Sequence, residues 1–233
     1  MSVLYLTPTP LSENTIEKIF PKYVISIVNG LRQFVVEDIR TARRFISKTG
    51  HPGPIESLQF HELNEHTTEN EVLSLLPYLL VEDTGLLSEA GVPCVADPGS
   101  KIVRLAHANG ITIIPLVGPS SILMALMASG LNGQSFAFVG YLPVKKDERR
   151  KRIRELERRS KEENQTQIFI ETPYRNMQLL GDILQCCLPE TLLTIAKDIT
   201  GINEFILTKK IKNWMNDFPN LNKIPTVFLL QAV

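Results

Sequence analysis

The sequence predicts an α/β protein built as two α/β domains, 1–116 and 117–233. Three observations carry this reading. Strand-like apolar runs alternate with segments of helical spacing along most of the 233 residues, the pattern of layered α/β folds. Two loops rich in Gly and Pro, Ser88 to Gly99 and Leu116 to Ser121, lie between apolar runs and helices. The second of them, at Leu116 to Gly118, is a joint between halves of similar size.

The elements follow in order. Val3 to Leu6 reads as a strand, Glu13 to Phe20 as a short helix and Tyr23 to Val28 as a strand-like run. Phe34-Val35-Val36 leads into an Arg-rich helix, Asp38 to Ser47. Ser57 to Phe60 reads as a strand, and Asn70 to Leu80 has helical spacing interrupted by Pro77. The apolar run Tyr78 to Val81 precedes the first loop, and helix-like Lys101 to Ala106 follows it. Ile111 to Pro115 is a short strand, and Ile122 to Ser129 a very apolar helix with Gly130 as its natural C′ residue. In the second half, Phe136 to Gly140, Ile168 to Glu171, Leu192 to Ala196, Glu204 to Thr208 and Thr226 to Gln231 read as strands. Asp147 to Glu163 is a charged helix, and Met177 to Cys187 reads as a helix with Pro189 after it.

Composition narrows the function classes only slightly. Lys plus Arg balances Asp plus Glu at 25 each, so net charge says nothing about partners. Cys94 and the adjacent Cys186-Cys187 form neither a disulfide framework nor a zinc pattern, which fits a reducing cytoplasm. The four His show no metal-ligand spacing, so no metal is expected. The N-terminus lacks a basic n-region and is not read as a signal peptide, and no stretch is apolar enough for a membrane span.

Charge distribution says more. Lys145 to Lys161 holds ten basic and four acidic residues and carries +6, against −6 for the rest of the chain. Clustering of this kind suits a polyanion surface, although charge runs are more often solvated helix faces. Arg40, Arg43 and Arg44 add a second strip. Glu155-Arg159 and Glu157-Lys161 have the spacing of helix-supporting ion pairs.

The two loops carry the candidate site. Ser88-Glu89-Ala90-Gly91-Val92-Pro93 to Asp97-Pro98-Gly99 pairs two acids with two glycines and a Pro near each. Gly permits close backbone approach and Pro fixes φ, so the loop suits a ligand at a strand end. The same residues also suit an ordinary turn and helix start. Gly118-Pro119-Ser120-Ser121 opens a helix whose N-terminus can face a carboxylate or phosphate, or be a plain Ser cap. No G-x-G-x-x-G or G-K-[ST] loop follows a strand, which weakens dinucleotide and nucleoside-triphosphate readings.

Six segments together resemble one bacterial family. Val36-Glu37-Asp38-Ile39-Arg40-Thr41-Ala42-Arg43-Arg44 is similar to its A-E-D-T-R-x-T-R, and His61-Glu62-Leu63-Asn64-Glu65 to its H-E-H-N-E. The 88–99 loop is similar to its S-D-A-G-T-P-x-I-S-D-P-G, with Glu89 for Asp and Val92 for Thr, and Gly118-Pro119-Ser120 matches its G-P-S. Gly140-Tyr141-Leu142-Pro143 with Lys145-Lys146 resembles G-F-L-P-x-K, and Phe169 to Arg175 resembles F-Y-E-S-P-H-R. The family is the tetrapyrrole methylase-like, class III S-adenosylmethionine (SAM) methyltransferases. The resemblance implies the tetrapyrrole methylase fold, with a cofactor cleft between its two α/β domains, and a homodimer. It also implies SAM as cofactor, and as substrate small-subunit rRNA, methylated on a cytidine ribose 2′-hydroxyl. Carried over by position, Ser88, Glu89, Ala90, Gly91 and Pro93 form one wall of the SAM site, with Ser120, Ser121, Glu171, Thr172 and Ala196 completing it. Lys145, Lys146, Arg149, Arg150 and Arg152, with Arg40, Arg43 and Arg44, would present RNA.

A ribose hydroxyl is a poor nucleophile and needs help to lose its proton. Glu37, Asp38, His61 and Glu62 are the polar candidates, and no spacing ranks them. Two other functions fit the same residues: a small-molecule methyltransferase of the tetrapyrrole type, and a SAM-binding paralogue without catalysis.

Overall fold

The computed structural model describes residues 2–13 and 16–232. They form two compact units, 1–120 and 121–233.

The first unit is a doubly wound parallel sheet. Its elements are β1 (Val3–Thr7), α1 (Ile16–Ile19), α2 (Lys22–Gly30), β2 (Gln33–Val36), α3 (Ile39–Lys48), β3 (Gln59–Glu62), α4 (Glu69–Ser74), α5 (Leu76–Val81), β4 (Thr84–Leu87), α6 (Ser100–Ala108) and β5 (Thr112–Pro115). Strand order is β3-β2-β4-β1-β5, with every pairing parallel. A sheet covered on both faces needs strands apolar on both sides, and β2 and β4 are buried throughout. Alternation divides them. Phe34, Val36 and Leu87 join Val24, Val28, Phe45 and Ile46 on one face. Val35 and Leu86 join Val72, Leu79, Ile102 and Leu105 on the other. The connections after β1 and β2 thus cover one face, and those after β3 and β4 the opposite one. That reversal opens a crevice at the carboxyl ends of β1, β2 and β4.

The second unit comprises α7 (Ser121–Ser129), β6 (Phe136–Tyr141), α8 (Lys146–Glu163), β7 (Thr166–Ile170), α9 (Asn176–Cys186), β8 (Leu192–Lys197), β9 (Phe205–Lys210), α10 (Ile211–Trp214) and β10 (Thr226–Gln231). Its sheet runs β6-β7-β10-β8-β9 and is mixed: only β6 and β7 pair in parallel. Ile153 and Leu156 of α8, Leu179, Leu180 and Ile183 of α9, and Trp214 of α10 pack on Phe169, Leu193, Ile195 and Phe228.

Several expectations change. Tyr23 to Val28 is helical, inside α2. Val24 and Val28, one helical turn apart, are buried while Tyr23 is 60% exposed, so packing overrides the strand tendency of β-branched residues. Tyr78 to Val81 is also helix, and the strand before the 88–99 loop is Thr84–Leu87. Pro77 starts α5 rather than interrupting a helix, because a first-turn residue has no intrahelical N–H bond to lose. A 3₁₀ turn at Ile55–Ser57 delays the third strand to Gln59. The helix expected over Glu13 to Phe20 is seen as Ile16–Ile19, and Asn14 and Thr15 lie outside the described residues.

The charged helix α8 is anchored from within. Arg149, 1% exposed, donates from Nε (2.8 Å) and from a second guanidinium nitrogen (2.5 Å) to Asp182 Oδ2 on α9. Arg150 Nε donates to Asp182 Oδ1 at 2.7 Å. Burial pushes the Asp182 carboxyl up, yet the hydrogen bonds and charges of Arg150 and Arg149 outweigh that and hold it below the usual carboxylate range. Glu157 is likewise buried and accepts from Leu188 N and Thr191 Oγ1 rather than pairing with Lys161. The exposed i,i+4 ion pairs of α8 among the described residues are Arg158–Glu162 and Arg159–Glu163, and Glu155 pairs with Arg152 rather than Arg159. Removing one partner of a buried pair strands the other's charge, so Arg149→Ala should destabilise the protein by about 3–5 kcal/mol in urea unfolding. Lys151→Ala, at an exposed position of the same helix, should change stability by less than about 0.5 kcal/mol.

Candidate active site

Loops after β1, β2 and β4 meet in the crevice of the first unit. Thr9 and Gly91 form a two-way backbone bridge, N to O at 2.9 and 3.1 Å. Thr9 Oγ1 donates to Ser88 O at 3.1 Å, and Ser88 Oγ to Gly91 O at 2.6 Å. Gly91 sits at φ +81°, where a Cβ would meet Leu11 and Pro119 as well as left-handed strain. Gly118 approaches Pro8 so closely that a Cβ would stand 2.4 Å from it. The loops after β1, β4 and β5 are therefore one interlocked assembly, which the start of the loop after β2 joins where the Glu89 amide donates to Glu37. Beside it lies a cavity of about 220 Å³ lined by Thr9 to Glu13, Val36 to Asp38, Arg44, Lys48 and Leu87 to Ala90.

Carboxylates crowd this crevice. Glu37, at the end of β2, has its carboxyl raised to about 7, by burial first and then by the charge of Asp97, with Glu89 adding to it; a hydrogen bond from the Glu89 backbone amide works the other way. Asp97 is also raised, by burial, against hydrogen bonds from Gly99 N (2.7 Å) and Cys94 N (2.8 Å). The same burial and the Asp97 charge lift the Cys94 thiol to about 11. Cys94 and Ala96 have φ of 69° and 60°, unusual for residues with a side chain, so this loop holds backbone strain of the kind that collects at functional sites.

The four candidate bases fall in two places. Glu37 and Asp38 line the cavity with Ser88, Glu89 and Ala90. Asp38, however, caps α3 by accepting from Thr41 N at 2.7 Å, which lowers its carboxyl and occupies it. His61 and Glu62 line a separate open concavity with Asn64, Thr67 and Glu71. The His61 ring lies 4.3 Å from that of Tyr78, its buried Nε2 has no partner, and burial lowers its pKa. Lys48 and the Thr9–Gly91 bridge carry no sequence signal, and Asp97, one of the two acids of the 88–99 loop, is given no role by the sequence. The Asp-Pro-Gly motif was visible, but Asp97 looked like a helix start rather than a charge facing Glu37.

The other expected residues are placed as follows. Ser120 ends the first unit and Ser121 begins α7. Glu171 follows β7, buried, with Oε1 accepting from Thr172 N (2.7 Å) and Arg175 (2.6 Å); its Oε2 is buried without a partner. Ala196 is fully buried within β8, between Val227 and Ile206, so its side chain offers a ligand nothing. Arg40, Arg43 and Arg44 are exposed on α3, Arg43 over the Phe60 ring and Arg44 at the cavity. Lys145 and Lys146 are exposed, Arg152 partly so and paired with Glu155. Arg149 is corrected: buried against Asp182, it cannot reach a phosphate. Arg150 is largely committed to the same carboxylate. Among the described residues no cluster of His, Cys, Asp and Glu could hold a metal ion, and no helix is long and apolar enough to cross a membrane.

No protein-family model matches the chain. Curated relatives do. A protein of Xylella fastidiosa named ribosomal RNA small subunit methyltransferase I is 33% identical over 78% of this chain and 63% of its own length. Proteins of the same name are 28% identical in Pasteurella multocida, over 99% of this chain and 79% of that protein, and 30% in Bacillus subtilis, over 94% and 66%. The chain belongs to the ribosomal RNA small subunit methyltransferase I family. Its fold is that of the tetrapyrrole methylases. The methyltransferase CobJ is similar with a TM-score of 0.63 at 18% identity over 100% of this chain and 93% of its own, and diphthine synthase with 0.68 at 16% over 99% and 90%. A member of this family is a methyltransferase that uses SAM. The residues present fit that cofactor. It carries an amine and hydroxyls that donate, and Glu171 Oε2 is a buried acceptor in want of a donor.

Glu37 also sets a stability test. Its carboxyl is raised in the folded state from an ordinary value near 4.5, so folding favours the protonated form. That contribution is complete below about 4.5 and is lost as pH rises through about 7. Glu37→Gln, which cannot ionise, should therefore melt with wild type at pH 4.5 and above it at pH 8. Equal melting temperatures at both pH values would remove the crowding.

Proposed function

We propose that this protein transfers a methyl group from SAM to RNA of the small ribosomal subunit, at the ribose 2′-hydroxyl of a cytidine in 16S rRNA. The family relationship, which extends over 99% of the chain in the Pasteurella multocida protein, carries this reading. The tetrapyrrole-type enzymes share the fold at 11–18% identity, which does not favour a small-molecule acceptor.

SAM, when bound, supplies an activated methyl and its own leaving group. Ser88, Glu89, Ala90, Gly91, Pro93, Ser120, Ser121, Glu171 and Thr172 are the residues proposed to hold it. Glu37 is proposed as the group that takes the ribose proton. It lines the cavity beside the Ser88–Ala90 loop, and a base works best when its pKa is near the working pH. Asp38 does not compete, since its carboxylate caps α3. Arg40, Arg43, Arg44, Lys145, Lys146 and Arg152 are proposed to hold RNA phosphates, positioning the substrate without reading its sequence. A homodimer in the cytoplasm completes the proposal, and light scattering at 26 kDa across micromolar concentrations would remove the dimer.

The deciding assay is methyl transfer to small ribosomal subunits lacking the modification. Activity should rise with pH through a midpoint near 7, because Glu37 must be deprotonated to act. Glu37→Gln should lower kcat by about 10²–10⁴-fold and abolish that rise. A wild-type profile flat from pH 6 to 8 would exclude Glu37 as the base, and no transfer to any subunit would refute the substrate.

Glu89→Ala should weaken SAM binding by about 1–3 kcal/mol in calorimetry, through loss of a hydrogen bond that its carboxylate would accept from the cofactor. Unchanged affinity would take Glu89 out of the cofactor site.

A further inference from the structure

One edge of the second unit combines exposed aromatic surface with lysines that no carboxylate neutralises. β7 and β8 both run antiparallel to β10, with Ile170 opposite Val227 and Lys197 opposite Thr226. The loop after β7, the β8–β9 hairpin loop and the segment before β10 therefore emerge side by side. Tyr174, in the first of these, is 76% exposed. Lys223, in the third, donates its backbone N–H to Pro173 O at 3.0 Å and holds its ammonium 5.9 Å from the Tyr174 ring centre. Lys197 holds its own ammonium 5.7 Å from the Phe205 ring and donates to Asn220 O at 3.4 Å. Neither lysine has an ion-pair partner among the described residues. On α8, by contrast, Arg149, Arg150, Arg152, Arg158 and Arg159 are each tied to a carboxylate.

Backbone strain marks the same edge. Asp198, Thr200 and Lys223 have φ of 49°, 68° and 60°, and Thr200 is β-branched, for which that region is a true outlier. Strain of this kind persists only where the surroundings hold it, and it gathers at sites of function.

We propose that this edge receives a single-stranded segment of the RNA substrate, with one unstacked base on the Tyr174 ring and the flanking phosphates on Lys223 and Lys197. Unpaired RNA bases are held by stacking on aromatic rings beside cationic groups, which is the pairing Tyr174 and Lys223 present. Buried Glu171 lies three residues before Tyr174, so the segment would pass next to a residue proposed to face the cofactor. The proposal rests on the RNA reading above.

The test is fluorescence anisotropy with a labelled single-stranded RNA oligonucleotide, alongside calorimetry with SAM. Tyr174→Ala should weaken RNA binding roughly 5- to 150-fold, the loss expected of one stacked base, and Tyr174→Phe should restore it. Lys197→Ala and Lys223→Ala should each lower the slope of log affinity against log salt by about 0.7. All four variants should bind SAM as wild type does. If wild type binds RNA and Tyr174→Ala binds it equally well, the stacking platform is refuted while the RNA substrate stands. If Tyr174→Ala instead loses SAM affinity, the ring serves the cofactor and the proposal falls. If wild type binds no RNA, the substrate reading fails with it.

Discussion

Parallel pairing of β4 with both β1 and β2 is the constraint on which the first unit's site depends. It sends three chain segments out of the same sheet edge, at a point where the connecting helices change faces. Nothing in any one of those loops would make a site alone. Thr7 to Ser12 is held by hydrogen bonds to Ser88 and Gly91, and the 116–119 turn is held by contact with Pro8. Each loop takes its shape from the others, so the preorganisation of the crevice is inherited from sheet register.

That edge also sets the electrostatics. Glu37 and Glu89 follow adjacent strands, and Asp97 returns to the same place through a strained turn. Three carboxylates close together cannot all ionise freely, and Glu37 keeps its proton to near-neutral pH, while the Gly99 and Cys94 amides favour the charged form of Asp97. The basic residues Arg44 and Lys48 stand at the rim of the cavity. An acidic interior and a basic rim suit an acceptor that is anionic overall but reacts through a neutral hydroxyl.

Most of the architecture was legible in the sequence, because the strands of a doubly covered sheet are continuous apolar runs and their loops carry Gly and Pro. What failed had physical causes. Tyr23 to Val28 is β-branched and reads as strand, yet its burial follows a 3.6-residue period set by Phe34 and Phe45 above it. Thr84–Leu87 contains a glycine and is only four residues long, too weak a signal beside the apolar helix before it. Among candidate site residues, side-chain type placed Glu37 and Asp38 together but could not tell a base from a helix cap. Helical spacing alone did not show that Arg149 points inward to Asp182. Nor did any local pattern join Tyr174 to Lys223, which meet only because β7 and β10 are neighbours.

The elevated thiol of Cys94 has a chemical consequence for a methyl-transferring enzyme. A thiolate accepts an electrophilic methyl far more readily than a hydroxyl does, and Cys94 lies in the very loop that carries Gly91 and Pro93. With its thiol pushed up to about 11, it stays protonated at pH 7. Burial and the charge of Asp97 thus keep the most nucleophilic side chain of that loop in its neutral thiol form.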